Sequence, residues 1–396
     1  MRGLTKILRI NAISESDIKL DILSKKISFH DVNPINVNKE MKKFFKNTNY
    51  NPQFIYNWQN KDFNLLEEKI KAVITDNSVA GEILSQIKSA LLDKINLIKY
   101  RKDAKRFTKI SIKIYGAPDK KIIKEAKKLL HLKIPKDKKL YSSKEVMNKF
   151  RFAFLEYGFP WTVVEKEMIA NAAVNCSSKQ LMIKKGARFS KNFVKRLIVH
   201  EIGTHAMRNE NGAMQPYKFF ERGFPDYLMT EEGLAVINEE LNNCLDSYTL
   251  KVYAGRVIAI DYALRNSFSK TYLKLRKYFD KKTAWRLTLR AKRGLSDTKL
   301  KGACTKDLCY LKGYIEIKKY LKDGGDINKL YYGKIGLKNV DIIEKMPGLI
   351  NPKFLPMFRH TNYLIQHFSS ILKTIIFFDI EPSISFINKR IIKTLK

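Results

Sequence analysis

Residues 200–205 read His-Glu-Ile-Gly-Thr-His, two imidazoles bracketing a carboxylate in a chain that has only 6 histidines among 396 residues. Imidazole nitrogen and carboxylate oxygen are ligands that a catalytic zinc takes, three from the protein with a fourth position open to water. The spacing is unusual for that purpose. Each residue of an α-helix turns about 100°, so ligands four apart are offset by only about 40° and share a metal easily. His200 and His205 are five apart and would diverge by roughly 140° on a regular helix. Widening the helix to i→i+5 hydrogen bonds closes that gap, and such turns favour functional sites. Gly203 lies between the histidines, where a residue without Cβ makes the distortion least costly. The pattern predicts a widened helix with both imidazoles on one side.

A third ligand must come from a later element. In "TEEGLA" (230–235), Glu232 stands immediately before Gly-Leu-Ala and is the candidate. Glu231 competes for the role, and Glu239, two turns beyond Glu232, is placed to support the ligands. Glu201 is then the candidate catalytic base, taking a proton from a water that the metal acidifies while it polarises the carbonyl under attack.

The elements that must position these residues are partly legible. Ser190 is a helix cap for "SKNFVKRLIVHEIGTHAMR", with Val194, Ile198 and Ile202 as its core stripe. Thr230 is expected to cap the next helix, placing Glu231 and Glu232 in its first turn. Residues 161–185 favour two short strands stopped by Gly186, and "KISIKIYGAP" (109–118) alternates like another strand. Residues 67–100 carry apolar side chains at helical spacing, residues 247–321 are also expected to be helical, and 322–352 to hold short elements. The C-terminal stretch "YLIQHFSSILKTIIFFDI" is interrupted by His367, Lys373 and Asp379 and suits a buried strand or helix better than a membrane span. The expected class is α+β, a small sheet and a metal-binding helix wrapped by further helices. Its regions are 1–150, mostly helical; 151–250, the catalytic core; and 251–396, helical and completing the substrate pocket.

Composition narrows the function. The chain carries 76 Lys+Arg against 39 Asp+Glu, a net charge of +37. That field attracts acidic partners, but the excess is spread widely, and aromatics are not interleaved with it as a base-stacking platform requires. A general basic surface is expected rather than a nucleic-acid site. Four cysteines form neither a disulfide framework nor a thiolate cluster, and the N-terminus lacks a secretory signature, so a reduced, cytoplasmic protein is expected.

Several separate motifs, in order, resemble one family. "NPQFIY" (51–56), "YGAP" (115–118), "HEIGTHAMR", "QP" (215–216), "TEEGLAVINEE", "RAKRG" (290–294) and "TKDLCYLKG" (305–313) are similar to the tyrosine/phenylalanine carboxypeptidases related to the microtubule-associated tyrosine carboxypeptidase. Prokaryotic members are often labelled flavohemoglobin-expression-modulating QEGLA-motif proteins. The family's Gln-Glu-Gly-Leu-Ala stands here as Glu231-Glu232-Gly233-Leu234-Ala235, which favours Glu232 as the ligand. The resemblance implies a zincin-like metallopeptidase core and one zinc ion on His200, His205 and Glu232, with Glu201 catalytic. The implied reaction releases a C-terminal Tyr or Phe from a peptide or protein. A cation should hold the terminal carboxylate. Arg286, Arg290 and Arg293 share one helical face, and Arg208, Lys306 and Tyr310 are further candidates, Tyr310 as a donor to the developing oxyanion. The basic surface would help to recruit an acidic tail. The alternative is a non-catalytic regulatory or binding protein on the same fold, contacting acidic partners or nucleic acid through that surface.

Overall fold

Alternating side chains build the sheet that lies against the histidine helix. The computed structural model describes residues 2–57, 62–134, 138–168 and 170–356. Within Gln180–Lys184 (β4), Leu181 and Ile183 are fully buried while their neighbours are half-exposed, the two-residue period of a strand covered on one face. β4 is the middle strand of three. It pairs in parallel with Thr162–Lys166 (β2) and antiparallel with Ala172–Asn175 (β3). Residues 161–185 therefore hold three short strands rather than two. A second, two-stranded antiparallel sheet joins Lys139–Ser142 (β1) to Arg188–Ser190 (β5). Helix Ser143–Glu156, opened by a Ser142/Glu145 capping box, buries Val146, Phe150 and Phe154 at four-residue spacing, in the same core as Leu181 and Ile183.

The rest of the fold is mainly helix, so the class is α+β with small sheets. One strand expectation fails. Residues Ala104–Tyr115 form a helix, N-capped by Asp103 and burying Phe107, Ser111 and Tyr115 at every fourth position. The alternation of "KISIKIY" is real, but the period of four wins because Ser111 is fixed from outside: its hydroxyl accepts from the Thr305 amide at 2.8 Å.

Residues Met1–Pro356 group as one compact unit, whose three apolar cores each take residues from both sides of positions 150 and 250. The segment carrying "NPQFIY" illustrates this reach. Tyr56 donates to Leu295 O at 3.1 Å and accepts from Gly294 N at 2.8 Å, while Phe54 N donates to Ser296 O at 2.8 Å. Two of the sequence motifs are thus halves of one junction. "QP" belongs to another: the Gln215 amide bonds both the carbonyl and the N–H of Ile350, at 2.7 and 3.0 Å. Among the described residues no helix is long and apolar enough to cross a membrane. The apolar stretch 363–380 lies outside the described residues.

Candidate metal centre

Ser190 ends β5 and accepts from Phe193 N at 3.2 Å, starting a helix that runs through Lys191–Leu197, Ile198–Ala206 and Met207–Ala213. The middle segment is a π-helix. It contains both histidines, and their ring centroids lie 5.0 Å apart. An ideal α-helix would have turned them away from each other.

What holds the widened turn is tertiary rather than local. A π segment shifts carbonyls out of the i→i+4 ladder. The Gly203 carbonyl is met by the Tyr331 hydroxyl at 2.9 Å and by Asn238 Nδ2 at 3.3 Å. Asn238 also donates to Thr204 Oγ1 at 2.7 Å. Gly203 itself has no left-handed φ, and a Cβ built on it would meet nothing within 4 Å. The glycine therefore leaves room beside the histidines more than it releases strain.

Glu232 comes from helix Tyr227–Leu241. This helix begins one turn earlier than expected, after Asp226 in a left-handed conformation. Thr230 is inside it, its hydroxyl accepting from Leu337 N at 2.7 Å. Glu231 and Glu232 are therefore not first-turn charges but buried side chains aimed at the histidine helix. Gly233 explains the next motif position: an added Cβ would fall 2.2 Å from the Gly313 backbone, so helix Leu308–Lys322 crosses here in backbone contact. "EEGLA" and "YLKG" meet at that crossing.

The side chains converge. Glu232 Oε2 lies 3.7 Å from His200 Nε2 and 3.9 Å from His205 Nε2. One ligand atom from each of the three falls within 4.8 Å of the others. Both Nδ1 atoms face carboxylates instead. His200 Nδ1 donates to Glu239 Oε1 at 2.7 Å and His205 Nδ1 to Glu231 Oε1 at 2.8 Å, which leaves each Nε2 lone pair pointing at the shared space. Each backing carboxylate has its own arginine: Arg196 Nη1 is 2.8 Å from Glu239, and Arg208 pairs with Glu231. Tyr253 also donates to Glu239, at 3.2 Å. Glu231, the competing ligand, is thus occupied, while Glu232 Oε2 is buried with no hydrogen-bond partner.

These residues fit a divalent cation. A buried, unpartnered carboxylate oxygen costs free energy unless a positive charge meets it. The cluster already responds to that demand by holding protons. Burial works against a charged His200, but Glu232 and Glu239 outweigh it and push the imidazole up to about 10. Glu232, which burial would raise, is held down at about 2 by His200, His205 and Lys306. Glu201 is buried beside His200 on the π segment, 7% exposed.

The expected carboxylate-binding residues separate into groups. Arg208 is fully buried, and its guanidinium is used by Leu330 O and Gly333 O, both at 2.9 Å, by Ile335 O at 2.6 Å, and by Glu231. It positions the backing of His205 and leaves no face for a substrate. Arg290 and Arg293 lie together as their spacing suggests, but both turn onto Asp307: Arg290 Nη2 at 2.9 Å and Arg293 Nη2 at 2.7 Å from Oδ1. Arg286 instead stands near Asp280, the cap of helix Lys281–Lys292. Lys306 lies over the Phe29 ring, 4.9 Å from its centroid. Tyr310 stacks on Tyr253 at 5.2 Å, and burial together with the charge of Glu232 raises its phenol well above the usual value, keeping it a neutral donor. Sequence reasoning missed Arg256 and Asp307. Asp307 sits within the quoted "TKDLCYLKG", but nothing local marks it as the partner of three arginines.

A helix widened to bring two histidines onto one carboxylate, with a further carboxylate at hand, gives the donor set of a candidate metal centre. The chain belongs to the microtubule-associated tyrosine carboxypeptidase family, whose model matches residues 42–375. It is 30% identical over 171 residues to human microtubule-associated tyrosine carboxypeptidase 1, covering 41% of this chain and 35% of that protein. The rat protein of that name is 28% identical over 172 residues, 41% of this chain and 35% of the relative. Mouse MATCAP2 is 24% identical over 375 residues, 89% of this chain and 63% of the relative. The chain thus spans between about a third and just under two thirds of these relatives' lengths.

Proposed function

We propose that this protein is a zinc-dependent metallocarboxypeptidase on a zincin-like core, releasing a C-terminal Tyr or Phe from a peptide or protein. The observation that carries the reading is the convergence of His200 Nε2, His205 Nε2 and the unpartnered Glu232 Oε2, with both Nδ1 atoms held by carboxylates. Zinc, when bound by these three, would acidify a water and polarise the scissile carbonyl. The chain's own residues supply the rest. Glu239 and Glu231 fix the imidazole orientations, so neither ring can turn without breaking a buried hydrogen bond. Glu201 accepts the proton of the attacking water on its carboxylate and returns it to the leaving amine. Tyr310, kept neutral, offers its O–H to the oxygen that gains charge.

Family membership supports the choice of C-terminal tyrosine, since the relatives are named tyrosine carboxypeptidases. The net charge of +37 favours substrates whose tails are acidic. Such electrostatic capture should weaken with added salt for an acidic peptide and barely change for a neutral one.

The test is metal content together with release of free Tyr or Phe, on the wild type and on Glu201→Gln. The wild type should hold one equivalent of zinc and release the aromatic residue. Glu201→Gln should keep the metal and lose turnover by at least about 100-fold, the scale of general-base catalysis. A wild type that binds no zinc, or a Glu201→Gln variant as active as wild type, would end this reading.

A further inference from the structure

Three guanidiniums surround one carboxylate beside the metal centre. Asp307 takes Arg290 and Arg293 in hydrogen-bonded pairs, and Arg256 Nε stands 4.0 Å from its Oδ2. Among the described residues none of the three has a second carboxylate partner, so two positive charges are left over in a largely buried setting. Arg256 is the arginine that the aspartate does not satisfy. Its Nε and Nη1 are buried with no hydrogen-bond partner. Its guanidinium carbon lies over Tyr310, 3.9 Å from the ring centroid, and 5.0 Å from that of Tyr253. The side chain as a whole keeps 16% of its surface exposed.

The cluster is tied to the reacting centre. Arg256 and Tyr253 belong to one helix, Ser247–Ala263, three residues or about 4.5 Å apart along its axis. The Tyr253 hydroxyl is bonded to Glu239, which holds His200. From the other side, the charge of Glu232 is felt by Tyr310 and Arg290.

We propose that Arg256 is the residue that binds the substrate's terminal carboxylate, with Asp307 as the positioning residue that keeps Arg290 and Arg293 turned aside and the surplus charge in place. This rests on the carboxypeptidase reading and adds to it the origin of exopeptidase selectivity. Orphaned buried N–H groups and uncompensated charge are both costly, and a carboxylate relieves both at once through a two-point contact that a carboxamide cannot match. The cation–π contact with Tyr310 holds the guanidinium in place while the ligand arrives. A chain that continued beyond the released residue would bring a neutral amide to this spot.

The experiment compares acid with amide. N-acetyltyrosine and N-acetyltyrosinamide are titrated against the zinc-loaded protein by calorimetry, and peptides ending in Tyr-acid or Tyr-amide are assayed for cleavage. The wild type should prefer the acid in both, and Arg256→Met should reduce that preference by roughly 10- to 100-fold, the range for a hydrogen bond to a charged group. The loss should appear in binding and KM more than in kcat, with the melting temperature little changed. Arg256→Lys, which keeps the charge but not the fork, should retain part of the preference. An acid preference unchanged in Arg256→Met overturns the proposal. If that variant does not fold, an unchanged preference in Arg256→Lys overturns it instead. Should the wild type cleave neither peptide, the carboxypeptidase reading fails, and acid-over-amide binding still decides the role of Arg256.

Discussion

The Tyr331 hydroxyl donates to the Gly203 carbonyl at 2.9 Å across 128 positions of sequence. That bond satisfies a carbonyl of the π-helical segment and comes from a 3₁₀ turn, Ile327–Tyr331, far from the histidines in the chain. The geometry of the candidate metal centre is therefore set partly from outside its own helix.

Tyr331→Phe removes that donor and leaves Asn238 Nδ2 as the remaining side-chain partner of Gly203 O. The loss should destabilise the fold by about 0.5–1.5 kcal/mol, the net contribution of one hydrogen bond, and should weaken metal binding. Gly203→Ala should be milder in denaturant unfolding, because its new methyl meets open space. The reverse order would mean that the glycine, not the tertiary clamp, sustains the widened turn.

Gly233→Ala and Gly313→Ala both force helices Tyr227–Leu241 and Leu308–Lys322 apart, since each added Cβ would overlap the opposing backbone. We expect a loss of at least about 1–3 kcal/mol for either, as for other overpacked interiors. Because Glu232 precedes Gly233, bound zinc per chain should fall as well. Alanine tolerated at both positions would refute the close crossing.

Arg208 and Glu231 form a buried pair, so Arg208→Met leaves a carboxylate without its cation and should cost about 3–5 kcal/mol. The double variant Arg208→Met/Glu231→Gln removes the stranded charge and should be more stable than Arg208→Met alone. A double-mutant cycle in urea measures this. Additive losses would show that the pair is not coupled.

On the proposed zinc reading, protons and metal compete at His200. In the metal-free protein its imidazole is raised from 6.5 to about 10. The stabilisation from its ionic contacts is thus complete below about pH 6.5 and is lost as pH rises toward 10. Metal-free protein should accordingly become easier to unfold across that window. A zinc ligand must be neutral, so zinc binding at pH 8 should release about one proton from His200. Calorimetry in buffers of different ionisation enthalpy reads that number directly, and a result of zero would contradict the assignment.

Local chemistry made much of this legible in advance. Two histidines five apart with an intervening carboxylate predict a widened helix by arithmetic alone, because regular helix geometry cannot bring them together. Ser190 announced its helix through a side chain able to satisfy a free N–H. The failures share a cause as well. "KISIKIY" fits both a strand and a helix, and only the packing of Phe107 and Tyr115 and the contact of Ser111 with Thr305 choose between them. Thr230 has the chemistry of a cap, yet its hydroxyl serves Leu337, a partner invisible to a local reading.

The sequence by itself determined which groups could ligate a metal, that regular helix geometry would not suffice, and the family to which the chain belongs. Tertiary structure decided who faces whom. Glu231 and Glu239 back the histidines, Glu232 is left unpartnered, and Asp307 claims Arg290 and Arg293 while Arg256 keeps free donors. Spacing along a helix fixes only the direction in which a side chain leaves the backbone. Which opposite charge it meets depends on helices that approach from elsewhere in the chain, and that choice exists only once the cores have packed.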